Sequence, residues 1–463
     1  MFIFPLIFVI SFFVAAKEVF NGNRQGILIF FIFGLSVYTT AMSVSFMLGL
    51  KSLIPAFQFF KEIIVIAVFL IGIFSLTTRP KFHVLDYALF LFLVITGVYA
   101  ILPIGEQGLV NRLVALKSTS FFVIVYFAGR FINLKSVYIN QYFSYIVLVT
   151  IAAGAVLLGE VGMNLHLQTL TGYADYSYYF FNFEPSGHFG LSWTFESEGG
   201  YKRFASFFAN PLEHAAATLL ALAVILALYT DDKNQFKFNN LNLLALAATL
   251  LSILFAISRA PLAGYGLMIY VYALLTKRKF ITHSVHTILA FAALYLIYLF
   301  TRFEQNNTGL IEVVMNTVDF SNPSSVGHLV EWIQGVISMI NHPFGIGLGT
   351  SGRVGGTLGE NIGGENQFII IGVQAGVQTL LLYLFIYVVF IRTGIKWFNI
   401  LKGKERKLCI AVLLFKIGIM LPLFTSEVES SSYISYMNWF LSGLFVSVIM
   451  QPTIKPVQVA YDH

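Results

Sequence analysis

Long apolar stretches recur from one end of the chain to the other, broken by short polar connections. Their length suits hydrocarbon about 30 Å thick rather than the core of a soluble domain. The pattern predicts thirteen membrane spans, near residues 2–16, 27–49, 53–76, 84–104, 119–134, 142–159, 210–229, 241–257, 262–276, 284–300, 368–391, 408–424 and 432–450. The first is short, and the third is preceded by Lys51 and carries Lys61 and Glu62. The expected count is therefore twelve to fourteen. The fold class is an all-α polytopic membrane protein, with residues 1–463 forming one integral-membrane domain. The opening "MFIFPLIFVISFFVAA" has no basic residue ahead of its apolar run, so it reads as a first span rather than a cleaved signal.

Composition agrees. Charged residues make up 11% of the chain and hydrophobic ones 57%, where a soluble domain carries about 25% charged residues. The net charge of +6 does not indicate nucleic acid, because the basic residues are spread over the connections and form no cluster interleaved with aromatics. Alternate connections, including "TKRK" (277–280) and "RTGIKWFNILKGKERK" (392–407), hold 18 of the 28 Lys and Arg residues, and the opposite set holds 9. Lys416 lies within a span. The richer set reads as cytoplasmic. The single cysteine, Cys409, excludes an intrachain disulfide and a thiolate metal cluster, and its apolar surroundings suggest a packing role.

With that orientation two long connections, 160–209 and 301–367, face outward. The first, "YADYSYYFFNFEPSGHFGLSWTFESEGGYKRFASFFANP", is too aromatic for a disordered linker. Its rings suit either the flat faces of sugars or an aromatic belt at the membrane surface. In the second, Val326, Leu329, Val330, Ile333, Ile337 and Ile340 recur at helical spacing. They predict an amphipathic helix in the interface plane, capped by Ser324 or Ser325 and ended by Asn341 and Pro343. Nine glycines follow among residues 342–366, a density taken to exclude helix while letting backbone amides approach an anion.

Ionisable residues beside apolar spans are costly and mark candidate sites. Arg203 precedes a span that opens with Asn210 as N-cap and Pro211 in the first turn, followed by Glu213 and His214. Arg203 either reaches to headgroups or builds an anion site with that helix N-terminus, and Glu213 either offsets the helix dipole or joins the site. Arg259 stands in a very short connection with little room to reach water, and its planar fork suits phosphate oxygens. Arg353, in the glycine-rich stretch, is a solvated charge or a ligand contact. His328 is a structural or a catalytic histidine, and His342 a turn residue. Glu365 sits where a helix N-terminus stabilises the ionised form. Asn366 is the better cap, which leaves Glu365 available to take a proton from a substrate hydroxyl. Lys416, Glu427 and Glu429 are candidates for the same polar cavity. Zinc-type clusters, a nucleophile elbow and a P-loop are missing from the sequence, so the candidate chemistry uses neither metal nor cofactor. "GIGLGTSG" follows no predicted strand and is not a dinucleotide fingerprint.

The order "RFASFFANPLEHAA", "SRAPLAG", "GHLVEWIQGVISMINHPFGIGLGTSG" and "GENQFIIIGVQAGVQTLLLYL" resembles the O-antigen polymerase and ligase superfamily of integral-membrane glycosyltransferases, over residues 200 to 390. The resemblance implies undecaprenyl-pyrophosphate-linked glycans as donor and acceptor. It further implies an active site on the outer face of a bacterial inner membrane, with a chain-length regulator and a flippase as partners. It implies that Arg203 and Arg259 hold the pyrophosphate leaving group. Ligases, which transfer glycan to lipid A core, carry histidine in an "HN" motif where this chain has Glu365, and often arginine where it has His328. The first departure points to the polymerase, and the second leaves the role of His328 open. A span more than the family's usual twelve is a further departure. Transporters or flippases of the same glycan usually show internal repeats and helices broken at the bilayer midplane, and no repeat is evident here.

Overall fold

A chain can cross hydrocarbon only if each segment satisfies its own backbone polar groups, which a helix does. The structure, a computed structural model, describes residues 1–76, 80–197, 200–302 and 323–451. Among these residues the only β-pairings are two isolated bridges, Glu196–Lys202 and Thr230–Phe236. Among the described residues ten helices are long and apolar enough to span a bilayer, from Ile3–Phe20 to Ser432–Ile449. Asn240–Phe255 and Arg259–Leu275 are shorter apolar helices, and Lys279–Arg302 is a further long one. Every one of the thirteen expected segments contains helix, and the chain is an all-helical multi-pass membrane protein.

Among the described residues four spans are mostly enclosed. In Arg24–Met47, Pro211–Tyr229, Gly403–Thr425 and Ser432–Ile449, between 78% and 94% of the apolar stretch is buried by protein, against 22% in the peripheral Ile3–Phe20. Small residues let backbones touch where apolar surface gives little drive to associate. Gly129 faces the Phe440 carbonyl and Gly443 the Tyr126 carbonyl, so neither position has space for a Cβ. Cys409 is buried in this core, its thiol directed at the Gly394 carbonyl.

Polar clasps close one end of the bundle. Asp86 accepts from Tyr126 at 2.6 Å and pairs with Arg130 at 3.1 Å. Arg406 donates to the Asp231 carbonyl and Lys404 to the Lys135 carbonyl. The long connections lie at the other end. Glu160 accepts from the amides of Leu167 and Ser206 at 2.8 and 2.7 Å, and Gln168 donates to the carbonyls of Ser206 and Phe208. These bonds fold the first long connection back onto the helices.

Four expectations are corrected. The span expected at 119–134 is the longer helix Leu109–Arg130, so Lys117 is helical rather than in a loop. Its charged opening is tolerated because the Arg112 guanidinium reaches back to the Leu102 carbonyl at the end of the preceding helix. The span expected at 368–391 is two helices, Gln367–Ala375 and Val377–Phe398, parted at Gly376 with φ 85° and ψ 165°. The glycine-rich stretch does hold a short helix, Gly352–Thr357, whose first amides are bonded by side chains. Finally, the amphipathic helix already runs at Pro323, so Ser324 and Ser325 do not cap it, and its start borders residues 303–322, outside the described ones. Its Val326, Ile333, Ile337 and Ile340 are exposed, as a helix lying at an interface requires.

The break at Gly376 has a partner. With no side chain on Gly345 or Gly376, the loop can lie against the exposed helix end. Ile346 and Gly347 donate to the carbonyls of Val373 and Gln374, and Val377 donates to Pro343. The region φ 85°, ψ 165° is essentially restricted to glycine. Gly376→Ala is therefore expected to cost about 1–3 kcal/mol, read as a lower melting temperature in detergent. Gly266→Ala, in a helix with open space at the Cβ position, is expected to be neutral or stabilising by up to about 1 kcal/mol.

Candidate functional site

Arg203 is fixed by the backbone on both sides of it. Its amide donates to Phe195 at 2.9 Å, the next amide donates to Phe255 at 3.1 Å, and its guanidinium Nε donates to the Ala256 carbonyl at 2.9 Å. These bonds bring the end of the first long connection against the turn that leads into Arg259–Leu275. Burial lowers the Arg203 pKa to about 10; Glu365 opposes that shift and Arg259 adds to it. Arg203, Arg259 and Glu365 are thus electrostatic neighbours although 162 residues separate the outermost two. Arg259 is exposed, contrary to expectation, because it heads its helix rather than sitting inside the turn.

Glu365 follows the paired left-handed turn of Gly363 and Gly364, with φ 89° and 66°. Asn366 does the capping, accepting from the amides of Phe368 and Ile369 at 3.0 and 3.2 Å. Glu365 therefore has no capping task. Its side chain opens to the surface, yet protein crowds it closely enough to raise the carboxyl above its ordinary range. Desolvation is the largest cause, and Glu331 adds to it, while His328, Arg353 and Arg203 oppose it. His328 Nδ1 lies 3.7 Å from Glu331 on the amphipathic helix, which brings that helix to the cluster.

Arg353 joins the same group from the short glycine-rich helix. Its guanidinium stands 5.6 and 5.5 Å from the rings of Phe181 and Phe183, a cation–π arrangement that orients the fork. Its amide donates to Glu427 at 2.6 Å, and the Gly352 amide donates to Asn361 at 3.0 Å. The glycine-loop amides expected to receive an anion are here engaged by these side chains. Glu427 is raised to about 7, chiefly by burial, with Glu365 adding to the effect and Arg353 opposing it.

Other candidates lie elsewhere. Asn210 caps the Glu213 amide at 2.9 Å, and Glu213 is hydrogen-bonded to Ser431 and to the Ala209 backbone. Both line a cavity of about 300 Å³ that Arg353 also faces. His214 is buried behind it, stacked on Phe208 at 5.3 Å with Nδ1 against the Phe204 carbonyl, which is a packing role. Lys416 does not line the cavity. Its ammonium is fully buried below, 3.5 Å from the Trp439 ring centre and 4.6 Å from Tyr387. Glu429 does line it, accepting from Tyr387 at 2.9 Å and Trp439 at 2.8 Å.

The cavity also contains residues that sequence reasoning had noted only as irregularities or not at all: Lys61, Glu62, Lys117 and Tyr38. Adjacent opposite charges inside an apolar run were the available signal. Compared with known proteins, the chain matches no protein-family model and no curated sequence.

The raised Glu427 has a consequence for stability. A carboxyl whose folded pKa lies above its unfolded value binds its proton more tightly when folded. Its contribution is fully present below the ordinary 4.5 and is lost as pH rises through about 7. Glu427→Gln keeps an acceptor for the Arg353 amide without that loss. The variant is expected to melt level with wild type near about pH 5 and above it near about pH 8, as measured by thermal unfolding in detergent.

Proposed function

We propose that the protein polymerises undecaprenyl-pyrophosphate-linked oligosaccharide repeat units, as an inverting membrane glycosyltransferase. The observation that carries this reading is the cluster itself. Arg203 and Arg353 both act on Glu365, Arg259 acts on Arg203, and Glu331 and Glu427 complete the group at the end of the bundle that holds the long connections. Guanidiniums beside carboxylates suit a reaction that expels a pyrophosphate while a hydroxyl loses its proton.

In this reading the acceptor hydroxyl oxygen forms a bond to the anomeric carbon as the carbon–oxygen bond to pyrophosphate breaks. The electron pair of that bond leaves with the pyrophosphate, whose charge the arginines meet, and Glu365 takes the hydroxyl proton. Attack from the face opposite the leaving group inverts the centre. His328, beside Glu365 and Glu331, is the second candidate to receive the proton. The positive-inside pattern supports an outward-facing end, which in this reading is the outer side of a bacterial inner membrane.

The broken helix does not favour a transporter. Transporters break helices near the midplane, whereas Val377–Phe398 has 22 residues and spans about 33 Å alone. Gln367–Ala375 is thus an added entry piece on the side of the cluster.

Purified protein supplied with an undecaprenyl-pyrophosphate repeat unit is expected to give a ladder of repeat-unit multiples. Arg259→Ala and Glu365→Gln are each expected to lower the rate at least about 100-fold, with both variants still folded. A product formed only after lipid A core is added would mean the ligase reaction instead. Transport into vesicles without any new glycosidic bond would overturn the enzyme reading. Because the base must be ionised and the Glu365 carboxyl is raised, the acidic limb of the rate should lie above the ordinary 4.5. A limb at or below that value would remove Glu365 as the base.

A further inference from the structure

Three basic side chains, Lys61, Lys117 and Arg353, and three acidic ones, Glu62, Glu213 and Glu429, line the cavity, but they are not paired one to one. Lys61 and Lys117 approach the same carboxylate, Glu62 Oε1, at 3.4 and 2.6 Å. Lys61 and Glu62 are largely buried, with 10% and 7% of their side chains exposed. Lys61 is fully engaged: it donates to the Tyr38 hydroxyl at 3.0 Å and to the Gln58 carbonyl at 2.9 Å. Lys117 is 49% exposed. Two ammoniums on one carboxylate leave an excess positive charge, in a place where charge is expensive unless matched.

The other carboxylates of the cavity are already committed. Glu213 is bonded at Ser431 and Ala209, and Glu429 is bonded by Tyr387 and Trp439 with the Lys416 charge behind it. The rings of Tyr173 and Phe181 and the hydroxyls of Ser430 to Ser432 line the same cavity. Flat rings beside hydroxyls suit the C–H faces and hydroxyls of a sugar better than a lipid chain. Arg353 faces both this cavity and the Glu365 cluster. A glycan lying in the cavity thus runs from Lys117 toward the reacting groups.

We propose that this cavity is a second ligand site, distinct from the pyrophosphate cluster, which binds a glycan carrying a carboxylate and takes that carboxylate at Lys117. It deepens the glycosyl-transfer reading, on which it rests for the identity of the glycan as acceptor. Lys117 supplies the recognising charge, and Glu62, its partner at 2.6 Å, competes with the ligand for it.

The test measures binding without turnover. Methyl β-glucuronide and methyl β-glucoside are titrated into the full-length protein in detergent by calorimetry. Wild type should prefer the glucuronide at least tenfold. Lys117→Gln should abolish the preference, whereas Glu62→Gln, which removes the competing carboxylate, should strengthen glucuronide binding. A merely structural trio would weaken binding in both variants, so the opposite signs are the informative result. Equal binding of the two glycosides, or a preference that survives Lys117→Gln, overturns the proposal. A protein that makes no repeat-unit ladder yet keeps the preference retains this site and loses the polymerase reading. A ladder formed without any preference does the reverse.

Discussion

Arg203 is held beside a second arginine, in surroundings where burial already weakens its positive charge. Neither condition favours a cation, and Glu365 offsets them only in part. The backbone bears the remainder. The carbonyls of Phe195, Phe255 and Ala256 accept from Arg203 and from the amide that follows it, which locks Arg203 against the turn before Arg259. A guanidinium so fixed beside a second arginine stores electrostatic cost that a bound anion would relieve. Such preorganised charge is worth more than mobile charge in a transition state, because nothing must reorganise as the reaction proceeds.

The rest of the architecture serves to keep that arrangement at one end. The mostly enclosed spans Arg24–Met47, Pro211–Tyr229, Gly403–Thr425 and Ser432–Ile449 form a rigid centre, and the clasps of Asp86 with Arg130 and Arg406 with the 231–234 turn close the opposite end. Against that frame the glycine-rich loop is set by the break at Gly376. The freed backbone of Val373 and Gln374 receives the loop amides, and this fixes where Arg353 and Glu365 emerge. Glu427 adds a tie from the penultimate connection to the Arg353 amide. Four distant stretches of sequence thereby converge on one small region.

Much of the fold was legible from the run lengths of apolar residues, since a bilayer imposes length directly. Asn210, Pro211 and Asn366 were readable as helix starts because capping depends on local chemistry. The break at Gly376 was not, since "QFIIIGVQAGVQTLLLYL" is continuous in hydrophobicity and a glycine at positive φ leaves no trace in periodicity. The helical start at Leu109 was not legible, because Arg112 and Lys117 look like loop charges until the Leu102 carbonyl and Glu62 are seen to meet them. At the site, Arg203, Arg259, Arg353 and Glu365 were each visible as costly charges, whereas their grouping came only from the family resemblance, because it depends on long-range backbone pairing. Lys416 and His214 carried the same local signal and are packed away from the cluster, so cost alone does not identify a site. The Lys61, Glu62 and Lys117 trio shows the converse, since Lys61 and Glu62 read as irregularities in one span and Lys117 lay outside the expected spans until the helices bring them together.

The central claim is that Arg203 and Arg259 act together on one pyrophosphate. It is tested most directly by the affinity of purified protein for undecaprenyl pyrophosphate, in wild type, Arg203→Ala, Arg259→Ala and the double variant. The account predicts that each single change weakens binding at least tenfold. It also predicts that the double change falls well short of the product of the two, because both arginines contact one ligand. Affinity unchanged in either single variant, or fully independent losses, would contradict it.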